Sequence, residues 1–91
     1  MEPFTRLLES VLIIFYRISG NKNVITVGDA MPLMDSKIKK GMEDLKQMAA
    51  SAGDKRTEAN LKELIGTLQK GSTEKMDVFI KKLKSQKLNP K

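Results

Sequence analysis

The chain has 91 residues, 40% hydrophobic and 31% charged, which is the balance of one small globular domain. It has no Cys and no His, which excludes disulfides, thiolate chemistry and Cys-based metal centres and removes the commonest general base, so an enzyme is not expected. Its net charge of +6 is concentrated at the C-terminal end, where residues 71–91 carry six Lys against Glu74 and Asp77.

The first helix is predicted from Pro3 to about Ile18. Proline suits the first helical position, where no N–H is needed. Phe4, Leu8, Val11, Phe15 and Ile18 recur at spacings of four and three, so they share one stripe, which Leu7 and Ile14 widen. Leu12, Ile13 and Tyr16 fall off that stripe. A helix this apolar needs cover on more than one side. Either a neighbouring helix supplies it, or Leu12, Ile13 and Tyr16 meet another chain.

Ser19–Asn23 reads as a turn, with Gly20 suited to a left-handed helix stop. Val24–Val27 is a short β-branched extended piece. Asp29 is then the preferred N-cap of a second helix over Ala30–Ser51, kinked near Gly41. The rival reading caps at Thr26 with Asp29 as its capping-box partner, but it puts Pro32 inside the helix, which is costly. Met34, Ile38, Met42, Leu45, Met48 or Ala49, and Ala52 form the apolar stripe.

After a connector at 52–56, Thr57 caps a third helix of Glu58–Gln69 with Leu61, Leu64, Ile65 and Leu68 inward. After the turn at Gly71, Thr73 caps a fourth helix of Glu74–Gln86 with Met76, Phe79, Ile80 and Leu83 inward. Residues 87–91 read as a frayed tail. The predicted fold is all-α, a small four-helix bundle forming a single domain over residues 1–91.

No cofactor or metal is expected. Nothing matches a calcium loop; Asn21, Asn23 and Asp29 are the nearest oxygen cluster, and Lys22 sits among them. Glu43 and Asp44 point about 100° apart on a helix and read as a solvated, salt-bridged face. No phosphate loop occurs. The last two predicted helices invite a helix-turn-helix reading, with Lys75, Lys81, Lys82 and Lys84 as anion contacts. However, Glu74 and Asp77 occupy the turn that would meet bases. The Met residues of helix two read mainly as core, with Met31 the exposed one. Val11–Tyr16 is too short to span a bilayer, and Met1-Glu2-Pro3 lacks the basic start of a secretory signal. The expectation is therefore a cytoplasmic chain without membrane insertion.

Phe15–Met34 carries an aromatic helix end, the Ser19-Gly20 turn, Lys22, the Ile25-Thr26 pair, Asp29 and a closing Leu33-Met34. Residues 4–34 thus resemble the first helix–loop–helix of the calcyclin-type dimeric EF-hand family, nearest those members whose shortened first loop takes no calcium. The resemblance implies a degenerate EF-hand pair of four helices that dimerises through its first and last helices and binds target proteins. It also implies that Phe4, Leu8, Leu12 and Phe15 are dimer or core positions, and that the hinge side of helix two is a target surface. Residues and resemblance together predict a non-catalytic, homodimeric interaction module that binds and regulates or positions a partner protein through Leu12, Ile13, Tyr16 and Met31. The alternative is a small basic nucleic-acid-associated regulator using the lysine face of the last helix.

Overall fold

A computed structural model describes residues 2–89. It contains five α-helices, α1 (Pro3–Ser19), α2 (Val27–Ala30), α3 (Ser36–Ser51), α4 (Lys55–Gln69) and α5 (Met76–Lys84), with a 3-10 turn at Met31–Leu33. The expected four-helix bundle, and with it the four-helix EF-hand pair, is therefore corrected to an all-α fold of five helices. The radius of gyration is 12.6 Å, close to the value of about 12 Å for a compact chain of this length.

The extra helix comes from Thr26 and Pro32. Thr26 Oγ1 accepts from the Asp29 N–H at 3.2 Å, and Asp29 Oδ2 accepts from the Thr26 N–H at 3.0 Å. This closed capping box starts α2 at Val27, so Asp29 is the box partner and not the N-cap. Pro32 then arrives before a second turn can form. It has no N–H to give, and its ring would clash with the carbonyl four residues back. The helix tightens into the 3-10 turn, and Met34 is extended at ψ 135°. Asp35 restarts the chain as α3 by accepting from the Ile38 N–H at 3.2 Å. The costly proline is avoided by breaking the helix, which the sequence reading did not weigh.

Three other expectations at the helix ends also change. Asp54 accepts from the Thr57 N–H at 3.0 Å and caps α4, so Thr57 lies in the first turn instead of capping it. The left-handed turns fall at Gly53 and Gly71, whereas Gly20 has an ordinary right-handed φ of −71°. On the last helix, Thr73 does not cap. The Val27 N–H donates to the Glu74 carbonyl at 2.8 Å and the Met76 N–H to the Ile25 carbonyl at 2.9 Å, around an antiparallel bridge of Thr26 with Lys75. This pairing holds residues 74–75 extended and delays α5 to Met76.

The predicted stripes turn inward. Phe4, Leu8, Val11, Phe15 and Ile18 of α1 meet Ile38, Met42, Leu45 and Ala49 of α3, the Leu61/Leu64/Ile65/Leu68 face of α4 and Met76, Phe79, Ile80 and Leu83 of α5 in one core. Phe15 and Phe79 pack tilted with ring centroids 5.3 Å apart and tie α1 to α5. Gly41 marks a close approach of α3 to α1: a Cβ there would stand 2.7 Å from Val11 Cγ2.

Residues 87–89 are not frayed. The Asn89 N–H donates to Asp54 Oδ2 at 2.8 Å, the Thr57 hydroxyl lies 2.9 Å from the Lys87 carbonyl, and Leu88 packs against the core. Residues 90 and 91 of the expected tail lie outside the described residues. Asp54 therefore serves α4 and the C-terminal segment at once. Its carboxyl is held below the usual range, first by the Asn89 N–H and then by the Thr57 N–H and hydroxyl.

Candidate functional site

The expected interaction residues separate in the structure. Leu12 is a correction: it is 7% exposed and belongs to the core, because the core wraps further round α1 on that side than one stripe requires. Ile13 and Tyr16 stay outward, at 52% and 47% exposure. They stand three residues apart and so lie on one face of α1. Met31 is exposed too, but it lines a different cavity of about 240 Å³ with Met34, Met42, Ile65 and Leu68. No residue of that cavity is shared with the surface around Tyr16.

Tyr16 forms one wall of an open groove of about 590 Å³. Its floor is built from Val24, Ile25, Met76 and Ile80, and its rim from Lys75, Lys81, Lys84 and Asp77. Ile25 is 64% exposed, the most of any large apolar side chain described. The sequence reading did not single it out. The signal was present: side chains alternate along extended backbone, so with Val24 and Val27 buried, one of the β-branched residues between them had to face out.

The groove exists because the 25–27 and 74–76 segments pair. That pairing lays the start of α5 beside the end of α1, although the two are more than fifty residues apart in sequence. Asp29 helps hold the segment. Its carboxylate accepts from the Ile25 and Thr26 N–H groups at 3.1 and 3.0 Å. The Thr26 N–H, then the Ile25 N–H and the Thr26 hydroxyl, keep its carboxyl below the usual range.

The four lysines of the expected anion face also divide. Lys82 points away and pairs with Glu74 Oε1 at 2.6 Å, and the hydrogen bond to that carboxylate, reinforced by its charge, raises the Lys82 ammonium above its ordinary range. Lys75, Lys81 and Lys84 line the groove, and none of them forms an ion pair among the described residues. Lys81 and Lys84 sit in the last turn of α5, where cations suit the helix dipole. Lys75 is different. It is the N-cap of α5, makes no side-chain capping bond, and brings a cation to the positive end of the helix.

No three His, Cys, Asp or Glu side chains gather as a metal site among the described residues, and no helix among them is long and apolar enough to cross a membrane. In the first loop, Asn21 Oδ1 accepts from the Asn23 N–H at 2.9 Å and Asp29 is committed to its capping box, so two members of the oxygen cluster noted in the sequence accept backbone N–H groups. The groove presents apolar surface and positive charge, an arrangement suited to binding. Comparison with protein-family models, with curated proteins and with solved structures found no match.

Proposed function

We propose that the chain is a helical interaction module that binds a partner protein and regulates or positions it through the surface formed by Ile13, Tyr16 and Ile25. The observation that carries this reading is the exposure of Tyr16 and Ile25 in one groove, with Ile13 one turn back on the Tyr16 face of α1. Leaving such groups in water gains the fold nothing, at roughly 25 cal/mol per Å² of apolar surface left unburied. Clustered exposed apolar surface marks interaction sites more than it marks chance.

A nucleic-acid-associated regulator is the second reading, favoured by the three lysines on the groove rim. It is weakened by the absence of Arg from the groove, since Arg is the bidentate partner of phosphates and bases, and by Asp77 standing among the lysines. The expected self-association stands as one outcome of the same test. Affinity capture on the wild type and on the Ile13→Ser/Tyr16→Ser variant, at low and high salt, separates the readings. A protein partner held through apolar contact survives high salt and is lost from the variant. Nucleic acid released at high salt, or retention equal on both proteins, overturns the proposal. Sedimentation velocity of the same two proteins shows whether the partner is a second copy.

A further inference from the structure

We propose that the α1–α5 groove takes an acidic amphipathic peptide segment of a partner protein, seated by its apolar side chains on Tyr16 and Ile25 with its carboxylates facing Lys75, Lys81 and Lys84. This rests on the interaction-module reading and specifies the chemistry of its partner.

The mode of docking follows from the backbone. The Asn23 N–H is taken by Asn21 Oδ1, the Val24 N–H by the Asn21 carbonyl, and the Ile25 and Thr26 N–H groups by Asp29. With these donors engaged, the extended segment does not offer the open row that strand addition requires. The occupant is therefore read through side chains, as an amphipathic helix laid in a groove is read.

The sign of the occupant follows from charge. Three lysines and one aspartate line the groove, and Lys82 is neutralised elsewhere by Glu74. A second copy would set this cationic rim against itself in a two-fold contact. A membrane surface would suit the charge, but α5 has no free apolar face to insert: Met76, Phe79, Ile80 and Leu83 are buried, and Val78 alone of its large apolar side chains is exposed. Nucleic acid would leave the apolar floor unused. A carboxylate-rich amphipathic peptide satisfies both floor and rim.

Lys75 supplies an independent argument. A side-chain acceptor at this N-cap position would favour α5, and the sequence places a cation there. A residue that works against its own helix while lining a groove has the signature of stability exchanged for binding.

The test is selection of a displayed random-peptide library on the immobilised full chain, followed by titration of the enriched peptide. The proposal expects enrichment of Asp and Glu flanking Leu, Ile, Phe or Trp. It expects amide shifts confined to the groove residues, affinity weakened by about tenfold or more in Lys81→Glu/Lys84→Glu, and weakening as salt rises from about 0.1 M to about 1 M, where the screening length falls from about 10 Å to about 3 Å. Replacement of each peptide Glu by Lys abolishes binding. Enrichment without acidic residues, or equal binding of the charge-reversed peptide, overturns the acidic-partner inference and leaves the interaction module standing. Failure of every apolar-bearing peptide to bind overturns both. Tighter binding of an oligonucleotide or of phosphatidylserine vesicles, or groove shifts produced by self-association of the chain alone, also overturns it.

Discussion

The α3–α4 hairpin and the α1–α5 side of this domain are built to different standards. Both hairpin helices begin at an aspartate that accepts a backbone N–H, Asp35 for α3 and Asp54 for α4. No large apolar side chain of either helix is fully exposed. On the other side, α1 and α5 begin without any side-chain capping bond, and Ile13, Tyr16, Ile25 and Val78 stand in solvent. Capping and amphipathic patterning are what folding alone would select. The side that departs from them carries the Tyr16–Ile25 groove, and on the proposed reading that departure marks the binding surface.

The comparison breaks first if the inward faces of the two sides differ in importance. Phe79→Ala removes the ring that packs on Phe15 and should cost about 3–5 kcal/mol in urea unfolding; a cost near zero would mean that α5 is not part of the common core. Gly41→Ala tests the joint between the two sides. Alanine favours a helix, yet its Cβ meets Val11, so a net loss of about 1–3 kcal/mol is expected. Adding Val11→Ala should cost less than the two changes summed, because the sites are in contact.

Acid probes one carboxylate on each side. Asp54 and Asp29 both have carboxyls held below the usual range by hydrogen bonds to their charged forms. A depressed carboxylate pKa stabilises the fold above the unfolded value, about 3.9, and that contribution disappears as pH falls through the lower folded value. Thermal melts from pH 6 downward should therefore lose stability below about pH 4. Asp54→Asn should start less stable, flatten that dependence and speed hydrogen exchange at the Asn89 amide. The smallest effect belongs to the groove: Ile13→Ser, Tyr16→Ser and Ile25→Ser should each change stability by no more than about 0.5 kcal/mol, since these side chains are already in water.

The inward faces were legible in the sequence because helical period alone reveals them. Every residue assigned to the stripes of the last two predicted helices is buried. The helix count was not legible. It depended on whether Pro32 would be absorbed near the start of one long helix or would break the chain, and the Thr26–Asp29 capping box decided that. The start of α5 was hidden too, because its extended lead-in is held by residues 25–27, which no local pattern connects to it. Leu12 flanks the stripe of α1, whereas Ile13 lies on the opposite face with Arg6, Ser10 and Arg17; helical period alone could have separated them, but not how far the fold covers the Leu12 flank. The groove needs the end of α1, Ile25 and three lysines brought together, so only its separate parts could be read in advance.

Lys75→Ser tests the central claim most directly, by paired measurement of thermal stability and affinity for the selected acidic peptide. Serine removes a cation from the positive end of α5 and supplies an N-cap acceptor, worth about 0.5–1 kcal/mol of added stability. The account predicts a protein that melts higher and binds the peptide more weakly. A variant that melts no higher and binds unchanged would mean that Lys75 is an ordinary surface residue and that the groove is not a binding site for acidic segments.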